Sequence, residues 1–359
     1  MAGRASLEAA LSAAWQRRGA LAWLLLPVAL LFRVALAVRR AAYSAGILQS
    51  LRPTVPVIVI GNLYVGGTGK TPLTIALVRA LQQRGWRPGV VSRGYGAETG
   101  PAPRIVSVDD PPAEVGDEPL LIARATGAAV CVAARRAAAA TALLAAEPAC
   151  NVIVADDALQ HLALARDVEI AVVDDRGLGN GWLLPAGPLR EPAGRLARAD
   201  AVVAHNTDCG AIGLPQTSCH AMRTHLAAEA YALADRDRTL ALDELARRQR
   251  AGGLRIAAAA GIGVPDRFFA MLTAAGLAIE PIPLPDHHAY ADGVPAGRSV
   301  DFVLVTEKDA VKCERISALR QDPRLWVVPL LARIDETLID LVAARLNRLS
   351  KAPHGPPPA

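Results

Sequence analysis

Val55-Pro56-Val57-Ile58-Val59-Ile60-Gly61-Asn62-Leu63-Tyr64-Val65-Gly66-Gly67-Thr68-Gly69-Lys70-Thr71 runs from an apolar stretch into a glycine-rich turn and leaves it on a lysine and a threonine. Beyond it, Leu73, Ala76, Leu77, Ala80 and Leu81 recur at the spacing of one helix face. Strand, glycine-rich loop and helix, in that order, make a phosphate-binding loop. The glycines let successive backbone N–H groups turn inward around an anion, and the helix start adds partial positive charge. The expected nucleotide site is therefore Tyr64, Val65, Gly66, Gly67, Thr68, Gly69, Lys70 and Thr71. Lys70 is expected on the β- and γ-phosphates of ATP and the Thr71 hydroxyl on Mg2+. One position departs from the strict pattern: Tyr64 stands where a glycine is usual.

Lysine is scarce elsewhere. Of 39 lysines and arginines only Lys70, Lys308, Lys312 and Lys351 are lysine. A chain that uses arginine for nearly every surface cation keeps lysine where a compact ammonium is needed. Lys70 is one such place. Lys308 and Lys312, in Thr306-Glu307-Lys308-Asp309-Ala310-Val311-Lys312, suggest a second, with compositional drift as the alternative.

At 359 residues and 52% apolar composition the chain has room for two domains and a large core. The net charge of +5 is mild, and no basic run is interleaved with aromatics, so no nucleic-acid partner is expected. Nothing points to an obligate protein partner. The cysteines Cys131, Cys150, Cys209, Cys219 and Cys313 are odd in number and never form a CxxC pair, which argues against a disulfide framework or a zinc site. His205, Cys209, Cys219 and His220 form a loose group whose spacing matches no standard metal site. The N-terminus carries an unbroken apolar run from Ala20 to Phe32, followed by Arg33 and Val34–Val38. Without charges the run is too short for a hydrocarbon core of roughly 30 Å. Bracketed by Arg17, Arg18, Arg33, Arg39, Arg40 and Arg52, with Trp15 and Trp23 nearby, it reads as an interfacial element drawn to anionic lipid. A helix buried in the protein's own core and a true span are the weaker readings.

Strand candidates Val55–Ile60, Gly89–Ser92, Ala129–Ala133, Val152–Ala155, Val168–Val173 and Ala201–Ala204 alternate with helical stretches. That order predicts an α/β fold, a mostly parallel sheet with helices on both faces. Ligands in such sheets sit beyond the carboxyl ends of the strands, where Arg93, Asp156-Asp157 and Asp174-Asp175 fall. From about His205 to Gly253 the pattern loosens into a linker or β-ribbon. A second set follows: Arg255–Ala260, Ile279–Ile282, Phe302–Thr306, Leu325–Pro329 and a helix from Asp335 to Leu349. The expected boundaries are 1–45 for the membrane-interface segment, 46–205 for the phosphate-loop domain and 206–253 for the linker. A second, smaller α/β lobe takes 254–349 and a disordered tail 350–359.

Asn151-Val152-Ile153-Val154-Ala155-Asp156-Asp157 is an apolar strand ending in two acids, and an acid at that end can hold Mg2+ beside the phosphate loop. Gly116-Asp117-Glu118-Pro119 opens a helical stretch; Asp117 reads as a helix cap or as a base near the γ-phosphate. Asp286-His287-His288 lies in a proline-rich loop, where a histidine is ordinarily just solvated.

Taken together, these phrases resemble a known family. Gly61-Asn62-Leu63, Gly66-Gly67-Thr68-Gly69-Lys70-Thr71-Pro72, Val91-Ser92-Arg93-Gly94-Tyr95-Gly96, Gly116-Asp117-Glu118-Pro119 and Asp156-Asp157-Ala158-Leu159-Gln160-His161 occur in order. Gly179-Asn180-Gly181-Trp182-Leu183-Leu184-Pro185-Ala186-Gly187-Pro188-Leu189-Arg190-Glu191, Ala260-Gly261-Ile262-Gly263, Asp286-His287 and Val305–Lys312 follow. The chain resembles the tetraacyldisaccharide 4'-kinases, the lipid A 4'-kinases of Gram-negative bacteria, over about residues 15–345. Ala158 stands where a glycine is familiar.

The resemblance implies ATP- and Mg2+-dependent phosphorylation of the 4'-hydroxyl of a tetraacylated glucosamine disaccharide 1-phosphate at the cytoplasmic face of the inner membrane. It also implies two α/β lobes joined by a small β-ribbon. It gives Asp117 and His287 as a catalytic pair and Asp156 and Asp157 as metal-associated acids. Arg93, Glu118, Gln160, Glu191 and Lys308 are further candidates within its motifs. A lipid acceptor also accounts for the apolar N-terminal element. The rival reading, a ParA/MinD-like membrane ATPase, needs a signature lysine at position 65, which is Val65.

Overall fold

The computed structural model describes residues 14–97, 100, 102–212, 219–291, 293–294 and 299–351. The start of the expected N-terminal segment and the tail 352–359 lie outside them. In chain order the longer helices are α1 (Ala20–Ser44), α2 (Lys70–Gln83), α3 (Asp117–Thr126), α4 (Arg136–Ala146), α5 (Leu242–Gly252), α6 (Pro265–Ala274), α7 (Glu307–Cys313) and α8 (Glu336–Lys351). The early strands are β1 (Val57–Asn62), β2 (Pro88–Ser92), β3 (Arg104–Ile105), β4 (Val130–Val132), β5 (Val152–Ala155), β6 (Val168–Asp174) and β7 (Ala201–His205). The later ones are β8 (Cys219–Leu226), β9 (Glu229–Ala232), β10 (Asp235–Ala241), β11 (Ile256–Ala260), β12 (Ile279–Pro283), β13 (Phe302–Thr306), β14 (Leu325–Val328) and β15 (Leu330–Ile334).

Two compact units emerge, each discontinuous in sequence: residues 1–92, 135–223 and 334–359 form the first, residues 93–134 and 224–333 the second. These differ from boundaries that follow the chain. Residues 93–134, expected within 46–205, cluster with 224–333, and α8, expected in the second lobe, belongs to the first unit. Ion pairs carry part of each regrouping. Arg124 meets Glu314 at 2.6 Å in the second unit, and Arg84 at the end of α2 meets Asp340 of α8 at 2.6 Å in the first.

In the first unit β1 is flanked in parallel by β5 and β6, β5 by β2, and β6 by β7 and then β8. Every residue of β1 is buried, as a central parallel strand covered on both faces requires. Helix α2 covers it with Leu73, Leu77 and Leu81, which the sequence places on one face. Helix α1 is one continuous helix of 25 residues through Pro27 and Arg33, with only Ala22 and Ala29 buried. With Arg33 and Pro27 included, its length and composition suffice to cross a membrane. Trp23, Leu24, Val28, Leu30, Leu31, Val34 and Val38 face outward.

In the second unit β11 lies between β12 and β13, β13 pairs with β14, all parallel, and β14 takes β9 in antiparallel. The period-two alternation of β11 sends Ile256, Ala258 and Ala260 into one core with Leu245, Phe268 and Leu272. Ala257 and Ala259 enter the opposite core with Val303, Ala310 and Cys313. Helices α5 and α6 thus pack one face and α7 the other. Within the stretch 206–253, read as a linker or β-ribbon, β9 and β10 pair as a hairpin, and β9 extends the sheet through Trp326 and Val327.

Cys209 and Cys219 are joined by a disulfide, against the expectation of none, with Cα atoms 5.8 Å apart. Parallel pairing sets Cys219 beside Val202, near the start of β7, and the chain after β7 folds back through the short turn Cys209–Ile212 to meet it. Cys131, Cys150 and Cys313 are free and buried. No group of three or more metal-ligating side chains occurs among the described residues, and the loose His/Cys group is not one.

Candidate active site

The phosphate loop leaves β1 and enters α2. Gly69 has φ +93°, and a Cβ there would sit 2.3 Å from Nδ1 of His205, so no side chain fits. Lys70 Nζ lies 3.2 Å from Asn62 Oδ1 and 3.5 Å from Asp157 Oδ1. Thr71 is half-buried in the first turn of α2. The two acids after β5 point differently. Asp156 is buried and accepts from the Thr74 hydroxyl at 2.9 Å. Asp157, at φ +47°, keeps a partly exposed carboxylate between Lys70 and Arg190, the latter at 3.1 Å. Burial opposes its charge, but Lys70, Arg190 and Arg136 outweigh that and hold its carboxyl below the usual range.

Hard oxygen donors at Thr71 and Asp157 fit Mg2+, which takes one or two protein ligands and completes its shell with water and phosphate.

Gln160 donates to Glu191 at 3.0 Å and to the Asn62 carbonyl at 3.1 Å. Glu191 also pairs with Arg40 of α1. These groups border a cavity of about 330 Å³ under α1, with Arg33, Arg39 and Leu162 on its wall.

Asp117 and His287 both lie in the second unit. Asp117 occupies the first turn of α3, buried, and His287 Nδ1 stands 3.0 Å from its Oδ2. His287 has φ +61° and donates its backbone N–H to the Gly261 carbonyl and to Asp286 Oδ1. Lys308 Nζ bridges Glu118 and Asp286, each at 3.0 Å. Lys312 Nζ is buried 3.6 Å from Asp117 and 3.3 Å from Asp309. Burial disfavours the Asp117 charge, yet the His287 hydrogen bond and the charges of Lys308 and Lys312 outweigh it and lower its pKa. The hydrogen bond to Asp117 raises that of His287. Burial pulls Lys308 down, but Glu118, Asp117 and Asp286 more than reverse it. A carboxylate kept charged in a buried place, with an imidazole on it, is a proton acceptor held ready.

The structure thus gathers Lys70 with Asp157, Gln160 with Glu191, and Asp117 with His287, Glu118 and Lys308. Arg93 is exposed and engages none of these. Of three further side chains at the loop, Arg176 was not named from sequence, Asn62 stood only inside a quoted motif, and His205 only in the loose His/Cys group. Arg190, although inside a quoted motif, was not assigned to Asp157. For Asn62, Arg176 and His205 the signal available was position, since each lies at or just beyond a strand end.

The family model described as tetraacyldisaccharide-1-P 4'-kinase matches residues 21–347. A tetraacyldisaccharide 4'-kinase of Herminiimonas arsenicoxydans is 49% identical over 347 residues, covering 96% of this chain and 97% of that protein. One from Bordetella petrii is 50% identical over 354 residues, covering 94% and 95%. Among solved structures, LpxK from Aquifex aeolicus in complex with ATP superposes with a TM-score of 0.75 at 27% identity, covering 91% of this chain and 99% of that one. A family match over residues 21–347, with relatives about half identical over nearly the whole chain, places the chain in the tetraacyldisaccharide 1-phosphate 4'-kinase family.

Proposed function

We infer that this chain transfers the γ-phosphate of ATP to the 4'-hydroxyl of a tetraacylated glucosamine disaccharide 1-phosphate, a step of lipid A biosynthesis. The observation that carries the chemistry is the hydrogen-bonded Asp117–His287 pair, 3.0 Å apart, in a chain that also bears a phosphate loop. A sugar hydroxyl is a poor nucleophile and must lose its proton as it attacks. Asp117 accepts that proton, while His287, braced by Asp286, orients the carboxylate. Lys70 opposes the charge that develops on the transferred phosphoryl. When bound, Mg2+ neutralises charge on the β- and γ-phosphate oxygens. Thr71 and Asp157 would hold it, with Asp156, hydrogen-bonded to Thr74, behind them. Gln160 and Glu191 border the arginine-walled cavity under α1, which suits an anionic sugar-phosphate head. The outward apolar face of α1 rests in the cytoplasmic leaflet of the inner membrane, where the acyl chains of the acceptor lie. A ParA/MinD-like ATPase is not favoured.

The test is label transfer from radiolabelled ATP to tetraacyldisaccharide 1-phosphate in mixed micelles. Wild type labels the lipid. Asp117→Ala and His287→Ala each lose roughly 10²–10⁴-fold in kcat, the usual worth of general base catalysis. The double variant loses far less than the product, because groups acting as a unit are not additive. Fully multiplicative losses, or a large fall in ATP affinity for Asp117→Ala, would dissolve the pair.

A further inference from the structure

The phosphate loop is gripped from behind by three side chains to which the reading above gave no role. Asn62, at the end of β1, donates from Nδ2 to the Gly66 carbonyl at 3.2 Å, as well as to the Tyr64 carbonyl and the Thr68 hydroxyl. Arg176, two residues beyond β6, donates to the Gly67 carbonyl at 2.7 Å. His205, the last residue of β7, sets Nδ1 2.8 Å from the Thr68 carbonyl, which fixes Nδ1 as the protonated nitrogen. Strands β7, β6 and β1 are adjacent, so three neighbouring strand ends take three consecutive carbonyls.

In a trans peptide the C=O of one residue and the N–H of the next point in opposite directions. Holding the carbonyls of Gly66, Gly67 and Thr68 outward therefore turns the N–H groups of Gly67, Thr68 and Gly69 the other way. Those three amides donate to no described protein acceptor, whereas that of Val65 is already used by the Pro188 carbonyl. The collar also accounts for Tyr64. The guanidinium of Arg176 lies 4.4 Å over its ring and is held by the buried carboxylate of Asp174 at 2.8 Å. The aromatic ring in place of the usual glycine is the platform that aims Arg176 at Gly67.

We propose that Asn62, Arg176 and His205 are positioning residues that preset the amides of Gly67, Thr68 and Gly69 for the triphosphate before nucleotide arrives. The inference rests on the reading of residues 64–71 as the ATP site. Preset donors need no reorganisation on binding, so their worth appears in nucleotide affinity.

The test is equilibrium titration of the full-length variants with ATP, alongside KM for ATP and for the lipid and a thermal melt. Arg176→Ala and His205→Ala each weaken ATP binding by about tenfold, the scale of one or two hydrogen bonds. KM for the lipid stays at the wild-type value. His205→Asn, whose side-chain amide can donate in place of Nδ1, restores most of the affinity lost in His205→Ala. A role in folding alone would lower the melting temperature without that selective rescue. Should His205→Ala fail to fold, Arg176→Ala, with a side chain 25% exposed, decides the matter. ATP affinity within about twofold of wild type in the alanine variants, with Lys70→Ala crippled, overturns the collar alone. Wild-type affinity and turnover in Lys70→Ala would take down the phosphate-loop reading itself, and the collar with it.

Discussion

Asp117 and His287 each hold the other in its charged form, and the consequence is a pH window. His287 is raised above its ordinary 6.5, so its contribution to stability is complete below that value and is lost as pH climbs through the raised one. Asp117 is lowered from 3.8, so its contribution is present above that value and is lost only as pH falls through the depressed one. Asp286 adds to the rise at His287 and Lys308 opposes it. The pair therefore stabilises most from about pH 4 to pH 6.5. The difference in melting temperature between wild type and His287→Gln should be largest there and shrink as pH rises further. A difference unchanged up to about pH 9 would mean that His287 carries no proton in the folded state. At this scale the sequence named both partners through their motif resemblance. It did not show Lys312 beside Asp117, because that contact joins α7 to α3 across nearly two hundred residues of chain.

Helix α1 is the element whose surface is least explained by the protein's own core. Leu24 is 75% exposed and Leu31 72%. Burying a leucine is worth about 1.5–3 kcal/mol. Replacing both with glutamate should weaken binding to vesicles containing anionic lipid by at least about a hundredfold, with ATP affinity unchanged. Co-sedimentation reads the first and titration the second; unaltered partition would show that this face is not the membrane contact. The parallel strands were legible because buried strands are continuous apolar runs, and Val152–Ala155 and Phe302–Thr306 are found as read. The hairpin of β9 and β10 was expected only as a linker or β-ribbon somewhere in 206–253, without strand bounds. Most of β10 is exposed and polar, so neither an apolar run nor an alternation marks it, and its partner strand fixes it instead.

Both compact units are assembled from segments far apart in the chain. Helix α8 serves the unit that holds the phosphate loop: Leu338, Val342 and Leu346 are fully buried, Thr337 meets His220 at 2.8 Å, and Asp340 meets Arg84. Ending the chain before Glu336 removes three such side chains, each worth about 1.5–3 kcal/mol, from a stability of only about 5–15 kcal/mol. Hydrogen exchange over residues 70–83 should then accelerate strongly although no loop residue has changed; unaltered protection there would place α8 outside that cooperative unit. What the sequence determined by itself was local and periodic. An apolar run before a glycine-rich turn makes a strand and a phosphate loop whatever surrounds it, and acids at strand ends face the ligand edge of a parallel sheet. What only the tertiary structure decided was long-range: the union of 93–134 with 224–333, the return of α8 to the first unit, the Cys209–Cys219 bond, and the grip of Asn62, Arg176 and His205 on the loop. Those depend on which strand lies beside which, and strand order is set by packing between segments that carry no mark of one another in the sequence.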